Sequence, residues 1–183
     1  MNKLTPPKEV LRGSILGEDH AADFARLTAT AAKTENIVLL SFVGIEAVTA
    51  SYLKAFLSPL LGEDAVNKCE AGLFPLVTEM SDDVREDLHS FLNDKGWLLS
   101  EVKESGGNYS FVRLIGCPES ATEKTFLALR MTQGASATDL FELCEEKNVN
   151  QTAWNNRLMN LLRLRLAKRT KEGRVWIYQT TSN

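Results

Sequence analysis

Histidine, cysteine and proline are scarce in this chain, with two His, three Cys and five Pro among 183 residues. Cys69, Cys117 and Cys144 are odd in number, far apart and without C-x-x-C spacing, which argues against both a disulfide framework and a zinc site. His20 and His89 have no acidic or cysteine company at ligand spacing, and no glycine-rich phosphate loop is present. No active site, metal or cofactor is therefore expected. Long apolar runs are also missing: nothing approaches the roughly 18 to 20 residues of a membrane span. The opening MNKLTPPKEV carries no apolar core behind its first lysine, so a cytoplasmic, unanchored protein is expected. No repeat of fixed period and no low-complexity tract is visible, which sets aside solenoids and disordered tails.

What is present is ordinary globular composition, 44% hydrophobic and 25% charged, with an uneven distribution of charge. Residues 1–119 carry 11 Lys/Arg against 18 Asp/Glu, a balance of −7, while residues 120–183 carry 10 against 6, a balance of +4. Such halves are expected to meet different partners. Gly116-Cys117-Pro118-Glu119-Ser120 marks the boundary, because Gly and Pro end an apolar strand and Ser120 with Glu123 has capping-box spacing. Two domains are predicted, 1–116 and 120–183.

The first domain reads as a small α/β sheet. Ile37 to Val43 is an apolar, β-branched run of the kind buried on both sheet faces, and is predicted to be the central strand. Ala21 to Ala32, with Phe24, Leu27 and Ala31 on one stripe, reads as a helix. A second helix opens at Thr49-Ala50-Ser51 and carries Leu53, Phe56, Leu57, Leu60 and Leu61 at three- and four-residue steps. Gly72 to Val77 reads as a strand in which Pro75 points to an edge or bulge. Ser81 caps a helix with Val84, Leu88, Phe91 and Leu92 on one face, stopped by Gly96. Asp82, Asp83, Glu86 and Asp87 are acids in its first turns, where the helix dipole favours them. Strands at Trp97–Val102 and Tyr109–Ile115 flank the turn Ser105-Gly106-Gly107-Asn108.

The second domain reads as helices over about 120–131 and 137–147, a turn at Asn148-Val149-Asn150, a third helix and a hairpin. The inner face of the second helix is assigned to Ala137, Leu140, Phe141 and Cys144. The hairpin strands are Leu166–Arg169 and Arg174–Tyr178 around Thr170-Lys171-Glu172-Gly173. Helix-turn-helix plus hairpin is the winged-helix plan. From Asn150 onward the chain holds Arg157, Arg163, Arg165, Lys168, Arg169, Lys171 and Arg174 against Glu172 alone. At about 100° per residue, Trp154, Leu158, Leu161 and Leu162 form the buried side of the third helix. Thr152, Asn156, Met159 and Arg163 lie opposite, with Asn155 and Asn160 on the borders. Amide and guanidinium groups bond base edges in a major groove, and Thr and Met touch thymine methyls. Lys168, Arg169, Lys171 and Arg174 are placed to follow phosphates. A solvated face of the same composition is the plain alternative.

The stretch Asn156-Arg157-Leu158 through Leu166-Ala167-Lys168-Arg169 to Glu172-Gly173-Arg174-Val175-Trp176-Ile177-Tyr178 resembles the recognition helix and wing of bacterial winged-helix regulators. Ile37 through Gly44 to Ser51-Tyr52-Leu53 is similar to the strand-to-helix segment of STAS-type domains, and most of all to a STAS-like family of unknown function. The resemblance implies a small α/β module akin to anti-sigma-factor antagonists, which bind partner kinases and switch by serine phosphorylation. It places that serine at Ser51, whose plain alternative is an N-cap. Ser41 and Thr49 stand where the antagonists usually carry Asp. Together these features predict a cytoplasmic bacterial or phage transcription regulator that binds double-stranded DNA as a homodimer and a protein partner through its first domain. The rival is a protein-interaction switch of the anti-sigma-factor-antagonist type whose winged helix docks on a kinase- or ATPase-like protein.

Overall fold

In the computed structural model, which describes residues 2–4, 10–29, 37–62, 73–105, 108–144, 146 and 149–182, helices are interspersed among the strands. In chain order they are β1 (Asn2–Leu4), β2 (Val10–Leu11), α1 (Ser14–Ala29), β3 (Ile37–Ser41), β4 (Ala47–Val48), α2 (Ala50–Leu61), β5 (Phe74–Thr78), α3 (Asp82–Lys95), β6 (Leu99–Ser105) and β7 (Asn108–Ile115). The main sheet has the order β1-β3-β5-β6-β7, parallel up to β6 and antiparallel at β7. The class is α/β. Since the order advances in one direction, right-handed crossovers carry α1, α2 and α3 to the same face. There Phe24, Leu53, Phe56, Leu57, Val84, Leu88 and Leu92 join Val38, Leu40, Val77 and Leu99 in one core.

Local chemistry explains the boundaries. Thr49 caps α2 by accepting the Tyr52 N–H, and Ser81 caps α3 by accepting that of Val84. Gly96 ends α3 in the left-handed region (φ 64°), with its N–H on the carbonyls of Asn93 and Leu92. β3 is interior, flanked by β1 and β5, but the middle strand is β5. Pro75 is thus not on an edge. It pairs with Val38 of β3, and the ladder to β6 starts only at Leu76, so the missing N–H falls before the second neighbour joins. α1 begins seven residues before Ala21; Phe24 is buried, while Ala31 and the Leu27 side chain lie outside the described part. Gly106 and Gly107 of the β6–β7 turn also lie outside it.

α1 is anchored by close approach. A Cβ at Gly17 would stand 2.6 Å from the Tyr52 carbonyl oxygen and 2.8 Å from the Ala55 Cβ, so α1 lies directly on the backbone of α2. Gly17→Ala is expected to cost about 1–3 kcal/mol by overpacking, read from urea unfolding; an unchanged midpoint would show that the two helices slide apart freely.

The remainder is α4 (Ser120–Thr132), α5 (Ala137–Leu143), α6 (Gln151–Arg163) and an antiparallel hairpin of β8 (Ala167–Glu172) and β9 (Val175–Thr180). The N-cap of α4 is Glu119, without a side-chain cap bond, rather than Ser120. The capping box belongs instead to Ser136 and Asp139 at α5. α5 stops at Leu143, and Phe141 is 44% exposed, so only Leu140 of the assigned inner face is fully buried. Ala135 bridges Tyr178, adding a strand position beside β9. The second core gathers Phe126, Leu129, Leu140, Trp154, Leu158, Leu161 and Tyr178, and it also draws Phe111 and Leu114 from β7 and Leu98 from just before β6. Among the described residues no helix is long and apolar enough to cross a membrane.

Candidate nucleic-acid interface

α6 is held at its start by Asn150, whose side-chain oxygen accepts the Ala153 N–H at 2.8 Å; Asn148 of the preceding turn lies outside the described residues. Trp154, Leu158 and Leu161 are buried in the second core, and Leu162 is buried beside them on the helix. That fixes the opposite side outward, where Thr152, Asn155, Asn156 and Arg163 are exposed. Two of the residues assigned to this side are engaged elsewhere. Asn160 is half-buried and donates from Nδ2 to Thr122 Oγ1 of α4 at 3.3 Å, so it faces α4 instead of the open side. Met159 is half-buried rather than exposed, and its sulfur accepts from Arg169 Nη1 and Tyr178 Oη, each at 3.3 Å. Met159 is thereby the joint between helix and hairpin.

The hairpin turn is two residues, Gly173 and Arg174, with Glu172 opposite Val175, so β8 extends through residues assigned to the loop. Gly173 takes φ +61° at the first turn position, where a type II′ connection needs glycine. Side chains alternate along strands, and the register therefore puts Arg169 and Lys171 on the face of Trp176 and Tyr178. The Arg169 guanidinium lies 4.2 Å from the centroid of the Trp176 ring, and the Lys171 ammonium 5.8 Å. Contacts of this kind contribute about 0.5–1 kcal/mol at exposed sites. Trp176 itself remains 41% exposed. Lys168 alternates onto the other face together with Glu172, and Arg174 is exposed in the turn.

No protein-family model, curated protein or solved structure matches the chain. Arg169 reaches α6 through Met159, Lys171 shares the hairpin face of Arg169, and the acid of β8 points away from them. Besides Lys168 on the other hairpin face, two of the seven cations after Asn150 do not belong to this surface. Arg157 pairs with Glu146, Nη1 to Oε2 at 2.5 Å, and holds that carboxyl below the usual glutamate range. Arg165 is 6% exposed and donates from Nη1 to the Leu73 carbonyl at the start of β5. Trp176 and Tyr178 were not among the residues singled out from sequence, although their i, i+2 spacing beside a cationic strand is the signal that puts them on one face.

Toward the N-terminus, Ser51 is exposed in the first turn of α2, with Oγ 3.1 Å from Thr49 Oγ1. The cap is Thr49, not Ser51. Ser41 is buried at the end of β3 and donates to Glu79 Oε2 at 2.5 Å. Burial also pushes the Tyr52 phenol up, and its oxygen lies 2.9 Å from His20 Nδ1.

Proposed function

We propose that this protein is a DNA-binding transcription regulator in which residues 120–183 act as a winged helix on duplex DNA and residues 1–116 form a STAS-like domain that receives a partner or signal. The order helix, bridging residue Ala135, helix, helix, hairpin supports the winged-helix reading. One observation carries the DNA reading: Met159, on the side of α6 that also carries Thr152, Asn155, Asn156 and Arg163, bonds Arg169 and Tyr178, so the outward side of the helix is joined at this residue to the hairpin face that bears Arg169 and Lys171. Amides and a guanidinium read base edges, and the hairpin cations, with Arg174 at the tip, neutralise phosphates. Lys168, on the other hairpin face, and Asn160, turned to α4, have subsidiary places in this scheme. A dimer is proposed because one short reading helix supplies little specificity alone.

Fluorescence anisotropy with the full chain and duplexes that include its own upstream DNA tests the proposal. Affinity is expected to fall steeply between about 50 and 200 mM salt, Arg174→Ala to lower the log–log slope by about 1, and Arg163→Ala to weaken binding with little change in that slope. Absence of binding to every duplex at low salt would overturn it. A co-purifying ATPase or kinase would then favour the interaction-switch reading, in which the same cations meet acidic residues.

A further inference from the structure

Cys117 and His89 meet although they are 28 residues apart: Sγ lies 3.6 Å from the imidazole Nε2. His89 is on α3, and Cys117 is in the connector between β7 and α4. The other ring nitrogen, Nδ1, accepts the Gly116 N–H at 3.2 Å. A backbone N–H only donates, so Nδ1 keeps its lone pair and the neutral ring carries its proton on Nε2. A ring fixed in this way gives a hydrogen bond to an anionic sulfur and accepts none from a thiol. The fold holds the arrangement in place. Gly116 has φ +100°, and a Cβ there would stand 2.5 Å from the Trp97 carbonyl oxygen, so the connector backbone lies tight against the residues leading into β6. Cys117 is exposed, whereas burial and the nearby Glu146 push the Cys144 thiol up. Neither the DNA-binding reading nor the partner-binding reading uses this pair.

We propose that Cys117 is a site of oxidative modification by hydroperoxides and small thiols, with His89 as its positioning residue. The deprotonated sulfur attacks the terminal oxygen of the hydroperoxide. An S–O bond forms as the O–O bond breaks, sulfur is oxidised by two electrons, and the departing alkoxide or hydroxide takes a proton from solvent. The sulfenic acid then condenses with a small thiol: an S–S bond forms, and water leaves with the thiol's proton.

The test uses the full chain and follows each cysteine separately by peptide mass. Iodoacetamide is expected to label Cys117 about tenfold faster than free glutathione at neutral pH, with Cys144 slow. His89→Ala should slow Cys117 about fivefold even though it uncovers the sulfur, whereas His89→Gln, which keeps both a donor and an acceptor, should restore most of the rate. Hydrogen peroxide followed by glutathione should place a glutathione on Cys117 in the native sequence and none at this position in Cys117→Ser. The proposal is overturned if Cys117 reacts no faster than glutathione in the native protein, if His89→Ala leaves its rate unchanged or raises it, or if peroxide and glutathione leave Cys117 unmodified.

Discussion

Phe126→Ala is expected to lower the unfolding free energy by about 3–5 kcal/mol. Phe126 is completely buried, with its ring centroid 5.3 Å from that of Phe111 on β7, and the Arg130 guanidinium covers the Phe111 ring at 4.2 Å. The cavity would therefore open at the seam where α4 meets β7, in the core that also holds Leu98, Leu114, Leu129 and Leu158. Backbone on both sides belongs to regular elements, which limits collapse into the void, so the loss should lie well inside the range for buried aromatics. A second tie between the C-terminal helices and the sheet is Arg165, which follows α6 in a left-handed conformation (φ 60°) and reaches the Leu73 carbonyl. Urea unfolding followed by circular dichroism measures the effect, and Phe126→Leu should cost less because it leaves less of the site empty. A loss under about 1 kcal/mol for the alanine variant would mean that helices and sheet are joined by the connector alone.

How much of this was legible in the sequence depended on whether a feature is written in neighbouring residues. α2 and α3 announce themselves because each combines a side-chain cap with an apolar stripe: Thr49 with Leu53, Phe56, Leu57, Leu60 and Leu61, and Ser81 with Val84, Leu88, Phe91 and Leu92. The start of α1 does not, since Gly17 fastens it through the absence of a side chain and Ile15 is 76% exposed, leaving no stripe to read. The strand order escapes periodicity altogether: a proline-bearing strand can occupy the middle of a sheet when its proline precedes the second ladder. At the candidate interface, helical spacing identified which residues of α6 turn inward. It could not separate the outward ones into those left open, such as Asn156, and those recruited by elements distant in the chain, such as Asn160 by Thr122 and Met159 by Arg169 and Tyr178. His89 looked isolated for the same reason, because its neighbours Gly116 and Cys117 arrive from the far end of β7.

Arg85→Met should destabilise the protein by about 3–5 kcal/mol, the range for removing one partner of a buried pair. Glu101 of β6 is 6% exposed, and Arg85 of α3 grips it with Nη2 on Oε1 at 2.9 Å and Nε on Oε2 at 3.1 Å. The guanidinium also bonds Asp82 on its own helix and the Met80 carbonyl, which holds the fork in position before the carboxylate is engaged. Without it, the charge on Glu101 would keep Arg113, whose Nε is 3.2 Å from Oε2 but whose side chain is 58% exposed and therefore shielded by water. That remaining partner places the expected loss toward the lower end of the range. The cost comes from stranding a buried carboxylate rather than from forfeiting a large net attraction, because desolvating both ions had already offset much of their Coulomb energy. It follows that Arg85→Met combined with Glu101→Leu should be more stable than Arg85→Met alone, a non-additive result that a double-mutant cycle in urea would measure. If the double variant instead lost the sum of the two single effects, the pair would have to be contributing through packing against α3 and β6 independently, and the buried charge would not be what makes Arg85 necessary.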